Sequence, residues 1–176
     1  RTTTPSREVS LMSEWETKLK AIVSEVKSKD VGSLTGVPSW MMVLLQRVLK
    51  DTGKKSISEV WPNLEVFFHG GISFVPYREQ YKQLIGKDIR YYEIYNASEG
   101  FFGIQDRFGS DEMLLMLDYG IFYEFIPMDT FGTENAKAVS LENVELGKNY
   151  AVVISTNGGL WRYLIGDTIR FTDLKP

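Results

Sequence analysis

The sequence predicts an α/β fold in which helices and a mainly parallel sheet are followed by antiparallel β hairpins. In the first half of the chain, apolar residues recur at three- and four-residue steps, which is typical of amphipathic helices. In the second half, short runs rich in aromatic and β-branched residues alternate with turn residues, which is typical of hairpins. This order predicts an α/β or α+β domain whose later half is largely β.

Local start and stop signals bound three predicted helices, over residues 6–29, 38–50 and 76–85. Ser6 is a suitable N-cap for the first, and a proline opens each of the other two. A glycine follows each helix, as is common at a helix C-terminus. Residues 31–36 read as a turn, and Ser56 with Glu59 has the capping-box spacing of one further helical turn.

Turn residues separate the predicted strands, which are expected over residues 64–68, 91–95, 113–117, 121–126, 150–155, 160–165 and 168–171. Asp118-Tyr119-Gly120 is expected to join the third and fourth strands as a hairpin. Asn157-Gly158, the strongest short turn signal in the chain, is expected to join the fifth and sixth in the same way. Gly166-Asp167 is expected to interrupt the β run that follows, and residues 129–138 are predicted to form a polar surface loop.

Composition and charge argue against several classes of protein. The chain is 43% hydrophobic and 24% charged, an ordinary balance for a globular domain. Its net charge of −3, without a dense basic stretch, argues against a nucleic-acid partner. The lack of cysteine excludes disulfides and thiolate metal sites, and a single histidine, His69, argues against a His-based zinc site or a Ser/His/Asp triad. No apolar run of about 18 residues and no signal-peptide pattern occurs, so we expect no membrane partner and a cytoplasmic location.

The stretch from Tyr91 to Asp106 combines a strand-like aromatic run with a polar, turn-prone segment. Within five residues, Tyr95 offers an aromatic face, Ser98 a hydroxyl and Glu99 a carboxylate. These groups could stack a base, hydrogen-bond a phosphate and hold a magnesium ion, at the strand end where open α/β sheets bind ligands. The structural alternative is a strand end with a capping Ser98 and a solvated Glu99, and these residues taken alone favour it.

Three motifs, taken in order, resemble those of the adenylate-forming superfamily of acyl-CoA synthetases, adenylation domains and luciferases. They are a Gly-Gly loop after a strand, an aromatic-x-x-Ser/Thr-Glu loop and a Tyr-x-x-Gly-Asp turn. In this chain they read Gly70-Gly71-Ile72-Ser73, Tyr95-Asn96-Ala97-Ser98-Glu99 and Tyr163-Leu164-Ile165-Gly166-Asp167. The flanks at residues 36–42, 123–127 and 159–163 narrow the resemblance to the auxin-responsive acyl acid-amido synthetase family (the Gretchen Hagen family), in a bacterial type of member. The three motifs together favour the functional interpretation of the loop around Ser98 and Glu99.

The resemblance implies a nucleotide site. Gly71, Ile72 and Ser73 would border the adenine and the acyl group of the substrate. Tyr95 would pack against the adenine, as contact between a base and an aromatic ring permits. Asp167 would take both ribose hydroxyls, a task for which the paired acceptors of a carboxylate are suited. A plain turn acid after a glycine is the alternative for Asp167.

The same resemblance implies the catalytic and substrate-binding residues. Asn96 and Ala97 would belong to the ATP-binding loop, in which the Ser98 hydroxyl faces phosphate and the Glu99 carboxylate binds magnesium. Ser98 and Glu99 are therefore the expected catalytic residues. Gly120 and Ile121 would line the acyl pocket, although packing of a turn explains them equally well. His69 is expected to be a structural residue at a strand end.

The implied protein is an ATP-dependent ligase with Mg²⁺ as cofactor, which joins a small carboxylic acid to an amine, an amino acid being the expected one. Residues 1–176 would be a single fragment of the large N-terminal domain of an adenylate-forming enzyme. The Ser/Thr/Gly-rich phosphate loop and the C-terminal cap domain are expected outside these residues, so the fragment alone is expected to be inactive. The alternatives are an acyl-CoA ligase and a non-catalytic nucleotide- or acyl-binding module. Leu164 stands where the plant enzymes have arginine, which weakens any inference about the acid or the amine.

Overall fold

A computed structural model describes residues 3–175 of the chain. The chain folds into two compact units, the first ending at Ile94 and the second beginning at Tyr95. The helices are α1 (Arg7–Ser10), α2 (Trp15–Val26), α3 (Pro38–Thr52), α4 (Ile57–Val60) and α5 (Arg78–Ile85). The strands are β1 (Ser33–Gly36), β2 (Val66–His69), β3 (Arg90–Ala97), β4 (Gly100–Ile104), β5 (Leu114–Leu115), β6 (Ile121–Pro127), β7 (Val139–Ser140), β8 (Asn149–Thr156) and β9 (Tyr163–Arg170). Across the described residues, no helix is both long and apolar enough to cross a membrane.

The first unit is built on a parallel sheet, as the sequence predicts. β1 runs parallel to β2, and β2 runs parallel to β3, with Phe67 opposite Leu34 on one side and Tyr91 on the other. The helices cover an apolar core in which the largest fully buried side chains are those of Leu45, Val48, Ile57, Trp61, Leu64, Phe67, Tyr81 and Ile85. The polar tips of the buried rings have partners, since Trp61 Nε1 donates to the Val26 carbonyl at 3.1 Å and the Tyr81 hydroxyl to the Pro38 carbonyl at 2.7 Å.

The single helix predicted over residues 6–29 is wrong, because two helices, α1 and α2, occupy that stretch. Ser6 caps α1 as predicted, with its hydroxyl accepting from the backbone N–H of Val9 at 3.4 Å. Beyond α1, the Glu14 carboxylate accepts hydrogen bonds from the backbone N–H groups of Glu16 at 3.0 Å and Thr17 at 2.7 Å. Glu14 therefore serves as the N-cap of a separate helix, α2, and the helical structure is interrupted between α1 and α2.

The turn predicted over residues 31–36 is also wrong, because Ser33–Gly36 forms strand β1. This strand has four residues and buries only Leu34, so it contains no alternation long enough to indicate a strand. Its place in the sheet is determined by pairing with β2, which lies about 30 residues later in the chain.

Most of the other helix boundaries confirm the start and stop signals, but the predicted start of the third helix at Pro76 is wrong in part, because Pro76 lies in a short 3-10 helix (Val75–Tyr77) and α5 begins at Arg78. Pro38 lies in the first turn of α3, and Gly53 and Gly86 end α3 and α5 in the left-handed conformation, with φ of 67° and 76°. The helical turn predicted after Ser56 is α4, but the capping box is not formed. The Ser56 hydroxyl lies 2.9 Å from Ser58 Oγ and makes no side-chain cap to the backbone.

The second unit is antiparallel, as the sequence predicts. β7, β6, β8 and β9 form a four-stranded sheet in that order, and β4 pairs with β5. The core of this unit is aromatic and β-branched, which suits packing on a sheet face. Its fully buried side chains include Phe102, Phe125, Tyr150, Val152 and Ile154. The polar loop predicted over residues 129–138 is confirmed.

The hairpin predicted through Asp118-Tyr119-Gly120 is wrong. Leu114 and Leu115 of β5 pair with β4, a strand that the sequence analysis missed. β6 pairs instead along its whole length with β8, and it also pairs with β7. Since β5 pairs with β4 and β6 pairs with β8, residues 118–120 connect two strands that are not paired with each other.

The hairpin predicted through Asn157-Gly158 is confirmed by the antiparallel pairing of β8 with β9. The predicted interruption at Gly166-Asp167 is wrong in part, because β9 continues through these residues as a bulge. Ala151 pairs with Thr168 and Val153 with Leu164, so one residue of β8 faces residues 165–167 of β9. Gly166 allows this with a φ of 99°, a conformation that other residues rarely adopt.

Candidate functional site

The Gly-Gly loop follows β2 in the first unit, at the carboxyl end of a parallel strand. Gly70 is buried, and a Cβ built on it would overlap the backbone carbonyl oxygen of Ile94 in β3. Gly71 has a φ of 81°, which favours glycine. Ile72 and Ser73 follow in exposed positions. The carboxyl edge of a parallel sheet is where open α/β folds bind ligands, so this exposed loop is suited to border one.

His69 ends β2 and is buried among aromatic rings, with 3% of its surface exposed. Its ring stacks on Phe74 at a centroid distance of 4.2 Å and lies 5.6 Å from Phe67. Among the described residues, Nδ1 has no hydrogen-bond partner. Burial, and to a smaller extent the positive charge of Arg78, lowers the pKa of His69 to about 4. His69 is therefore neutral in the folded protein at neutral pH, which agrees with the structural role expected for it.

We expect the free energy of unfolding to fall as the pH decreases from about 6.5 to about 4, because unfolded His69 takes up a proton that the folded ring does not. The slope from this group should reach about 1.4 kcal/mol per pH unit. His69→Phe, which keeps the ring packing, should remove that part of the pH dependence. Urea unfolding of both proteins between pH 4 and 7 measures it, and parallel curves for the two would contradict the prediction.

The second predicted motif lies where β3 ends and β4 begins, in the second unit. Ser98 and Glu99 form a two-residue turn between the strands, with Ser98 exposed and Glu99 half-buried. Asn96 and Ala97, the last residues of β3, are also exposed. Tyr95 precedes them and is half-buried, with its ring 4.9 Å from the ring of buried Phe102. The turn therefore presents a hydroxyl and a carboxylate next to an anchored aromatic ring.

The third predicted motif is the first part of β9 with its bulge, and it contacts the second motif directly. The Tyr95 hydroxyl donates to Asp167 Oδ2 at 2.6 Å, and the Tyr163 hydroxyl donates to Glu99 Oε1 at 3.2 Å. Burial, followed by the contact with Asp167, raises the pKa of Tyr95 above its ordinary value. The Tyr95 phenol thus keeps its proton at neutral pH and remains a donor to the Asp167 carboxylate.

Within the second unit, the structure brings Tyr95 and Asp167 together and holds Glu99 against the same strand, β9. Gly71, Ile72 and Ser73 belong to the first unit. Sequence reasoning missed Tyr163 as a contact residue, although the motif contains it. The signal that could have found it is its spacing, since Tyr163 precedes Asp167 by four residues just as Tyr95 precedes Glu99.

The single carboxylate of Glu99 is a suitable protein ligand for a cation whose other ligands are mainly phosphate oxygens and waters. No group of three or more His, Asp or Glu side chains placed to hold a metal occurs among residues 3–175. Mg²⁺ is usually held by one or two carboxylates, waters and the phosphates of a nucleotide, so one carboxylate suffices. A carboxylate has about four lone-pair sites, and the contact with Tyr163 leaves acceptor capacity for a cation.

Gly120 and Ile121 line a cavity of about 480 Å³ at the start of β6. Phe122 and Trp161 also line it, together with the polar, uncharged residues Ser155, Thr156 and Asn157, and no charged residue does. Phe122 and Trp161 are largely exposed, at 63% and 82%. This apolar cavity is suited to the uncharged part of a small ligand. Sequence reasoning missed Phe122 and Trp161, because aromatic residues are equally common in strands without a ligand.

The loop that carries Trp161 is held in a strained conformation. Arg162 has a φ of 48°, which is unusual for a residue other than glycine. Its backbone N–H donates to Ser155 Oγ at 3.0 Å, and its Nε donates to Glu124 Oε2 at 3.0 Å. These two bonds fix the residue that follows Trp161, and they help to hold the rim of the apolar cavity in place.

A second and larger cavity, of about 760 Å³, is lined by Tyr95, by core residues of the second unit and by charged residues that include Arg107, Glu112 and Arg170. Phe102, Tyr123 and Val152 are among these core residues. Ser98, Glu99 and Asp167 line neither cavity. Asn96, Ala97, Ser98 and Asp167 are exposed, whereas Tyr95 is half-buried and also lines this cavity.

Two family models match the sequence: the GH3 family N-terminal domain matches residues 2–89, and the GH3 family central domain matches residues 114–176. The indole-3-acetic acid-amido synthetase GH3.8 of Oryza sativa subsp. indica is 35% identical over 127 residues, which cover 66% of this chain and 20% of that protein. The indole-3-acetic acid-amido synthetase GH3.3 of Arabidopsis thaliana is 32% identical over 123 residues, with the same coverage of 66% and 20%. The chain thus spans about a fifth of the length of these relatives.

Solved structures share the fold. The GH3.15 acyl acid amido synthetase matches with a TM-score of 0.68 and 17% identity, over 92% of this chain and 38% of that chain. A 2-hydroxyisobutyryl-CoA ligase in an open conformation matches with a TM-score of 0.60 and 15% identity, over 89% and 32% of the two chains. At such identities the likeness shows the fold alone. It confirms the predicted α/β fold, with a mostly parallel sheet followed by antiparallel strands.

Proposed function

Since the chain belongs to the GH3 family, we propose that its full-length protein is an ATP-dependent ligase that joins a small carboxylic acid to an amine, with an amino acid as the expected amine. One observation in the structure supports this proposal in addition to the family membership. Tyr95 and Asp167, the residues expected to bind the base and the ribose, are in direct contact at 2.6 Å. A cytoplasmic location, where ATP and free amino acids occur together, is part of the same proposal.

The proposed reaction has two steps. A carboxylate oxygen of the acid attacks the α-phosphorus of ATP, and pyrophosphate leaves with the electrons of the bond between the α- and β-phosphates. The nitrogen of the amine then attacks the acyl carbon, AMP leaves, and the nitrogen loses a proton. Reactions at phosphorus of this kind depend on positioning and charge neutralisation, so the residues have only to bind and orient the reactants.

Each predicted site residue has a task in this scheme. Tyr95 would hold the base against its ring, and Asp167 would accept hydrogen bonds from the ribose hydroxyls. Ser98 would donate its hydroxyl to phosphate, and Glu99 would hold the Mg²⁺ ion. When bound, Mg²⁺ neutralises charge on the phosphates. Asn96 and Ala97 would shape the ATP-binding loop between these groups.

The remaining predicted residues would bind the acid. The cavity beside Gly120 and Ile121 has a mainly apolar and uncharged lining, which supports a place there for the uncharged part of the acid. Gly71, Ile72 and Ser73 would border the adenine and the acyl group. The exposed positions of Ile72 and Ser73 support that assignment, as does the place of the loop at the carboxyl edge of the sheet.

An ATP–pyrophosphate exchange screen of the full-length protein across a panel of carboxylic acids tests the proposal. We expect exchange with at least one acid, and its product with an amine should be an amide. Coenzyme A consumption without amine consumption would favour the acyl-CoA ligase, which shares the fold. ATP binding without exchange for any acid would favour a non-catalytic nucleotide-binding module.

We further expect the 176 residues alone to show no exchange above background. Transfer at phosphorus requires the whole triphosphate to be held in line, and we propose that a phosphate loop and a cap domain of the full-length protein supply the other contacts. Pyrophosphate release from the 176 residues and from the full-length protein, at equal concentration with the same acids, measures this. Comparable turnover by the two would contradict the prediction.

A further inference from the structure

Two five-residue segments of the second unit have the same pattern, a tyrosine followed four residues later by an acid. They are Tyr95 to Glu99 and Tyr163 to Asp167. Each tyrosine donates to the acid of the other segment, Tyr95 to Asp167 at 2.6 Å and Tyr163 to Glu99 at 3.2 Å. We call these two contacts the reciprocal tyrosine–carboxylate pairs. Each segment thus supplies one donor and one acceptor to the other.

The two donors lie on better anchored backbone than the two acceptors. Tyr95 is in β3 and packs on Phe102, while Tyr163 pairs with Ile154 in the β8–β9 ladder. Glu99 is in a two-residue turn, and Asp167 is in the bulge of β9. Turns and bulges interrupt regular backbone pairing, so a hydrogen bond from an anchored phenol restricts a carboxylate that its own backbone holds less firmly.

We propose that Tyr163 is a positioning residue, which orients the Glu99 carboxylate toward a divalent cation bound to the nucleotide. This inference rests on the proposed function, because it takes Glu99 as the cation ligand and Asp167 as the ribose ligand. Tyr163 holds Oε1 of Glu99, so the carboxylate turns its remaining acceptor sites toward the cation. Through the reciprocal tyrosine–carboxylate pairs, the cation ligand and the ribose ligand are held in one arrangement.

Removal of the Tyr163 hydroxyl leaves Glu99 in place but free to rotate. A single hydrogen bond of this kind corresponds to about a 3- to 10-fold change in an equilibrium constant. We therefore expect Tyr163→Phe to weaken cation binding about 3- to 10-fold in the presence of nucleotide. The KM for the carboxylic acid should change less than twofold, because Tyr163 does not line the apolar cavity beside Gly120.

The test uses the full-length protein, Mn²⁺ as the probe cation and a non-hydrolysable ATP analogue. The electron paramagnetic resonance signal of free Mn²⁺ gives its dissociation constant, and the Mg²⁺ dependence of ATP–pyrophosphate exchange gives a second measure. Tyr119→Phe is the matched control, since Tyr119 is an exposed tyrosine of the same unit that lines neither cavity. Glu99→Gln, alone and with Tyr163→Phe, completes a double-mutant cycle.

Weaker Mn²⁺ binding in Tyr163→Phe, unchanged binding in Tyr119→Phe and no further effect of Tyr163→Phe in the Glu99→Gln background would support the inference. Equal Mn²⁺ affinity in Tyr163→Phe and the unchanged protein would overturn it while leaving the proposed function standing. A protein that bound neither the analogue nor Mn²⁺ would overturn both. The melting temperature checks the fold, which should survive because Tyr163 is 40% exposed and its ring is kept.

Discussion

Glu99→Ala in the full-length protein is expected to lower the rate of ATP–pyrophosphate exchange about 100-fold at saturating ATP and acid. The reason is that the proposed cation ligand is lost, and removing one group that stabilises charge in a transition state has effects of about this size. The KM for the acid should change little, because Glu99 does not line the apolar cavity at Gly120 and Ile121. Exchange rates at several Mg²⁺ concentrations measure the effect.

Asp167→Asn is expected to affect a different kinetic constant from Glu99→Ala, and this difference tests the two assigned roles separately. It keeps the size of the side chain but removes the charge, so it should act mainly on nucleotide binding and raise the KM for ATP by about 10-fold. Glu134→Ala, at an exposed acid of the polar loop, is the control and should leave both constants unchanged. Unchanged kinetics in both Glu99→Ala and Asp167→Asn would remove the assignment of this site.

Gly70→Ala is expected to lower the free energy of unfolding by about 3 kcal/mol, the upper end of what overpacking a core costs. A Cβ at this position overlaps the backbone carbonyl of Ile94 in the neighbouring strand, and a backbone atom cannot move aside as a side chain does. Urea unfolding followed by circular dichroism measures the change.

Gly32→Ala is the matched substitution at a roomy position. Its Cβ would meet only the Asn63 carbonyl oxygen at 3.7 Å, an ordinary contact, so stability should change by less than about 0.5 kcal/mol. If Gly70→Ala lowered the free energy of unfolding as little as Gly32→Ala, the close approach of Gly70 to the Ile94 carbonyl would not exist in solution.

Elements with strong local signals were predictable from the sequence. Pro38 and Gly53 bound α3, and Gly86 ends α5, because these residues act through their own backbone conformation. β1, β4 and β7 were missed and β5 was given the wrong partner, because such short strands are determined by the strand that lies beside them. The Glu14 cap was missed because glutamate is not among the preferred N-cap residues.

In the candidate site, too, the residues with local sequence signals were predictable and their contacts with distant residues were not. Tyr95, Glu99 and Asp167 were predicted as site residues from ordered motifs, but their hydrogen bonds were not. The contact between Tyr95 and Asp167 joins residues 72 positions apart, and Asp167 lies in the bulge of β9, which the sequence analysis did not predict. Tyr163 received no role because a tyrosine at the start of a strand is an ordinary strand residue until its partner is seen.

The bulge in β9 also bears on self-association. Among residues 3–175, β9 stands at the end of the sheet order β7-β6-β8-β9, and a strand in such a position presents backbone donors and acceptors to which another strand can add. Gly166 and Asp167 disturb that row with a local twist and place a charge on it, and both features hinder such an addition. Asp167, the residue proposed to receive the ribose, thus lies in the irregular part of the strand that ends this sheet order.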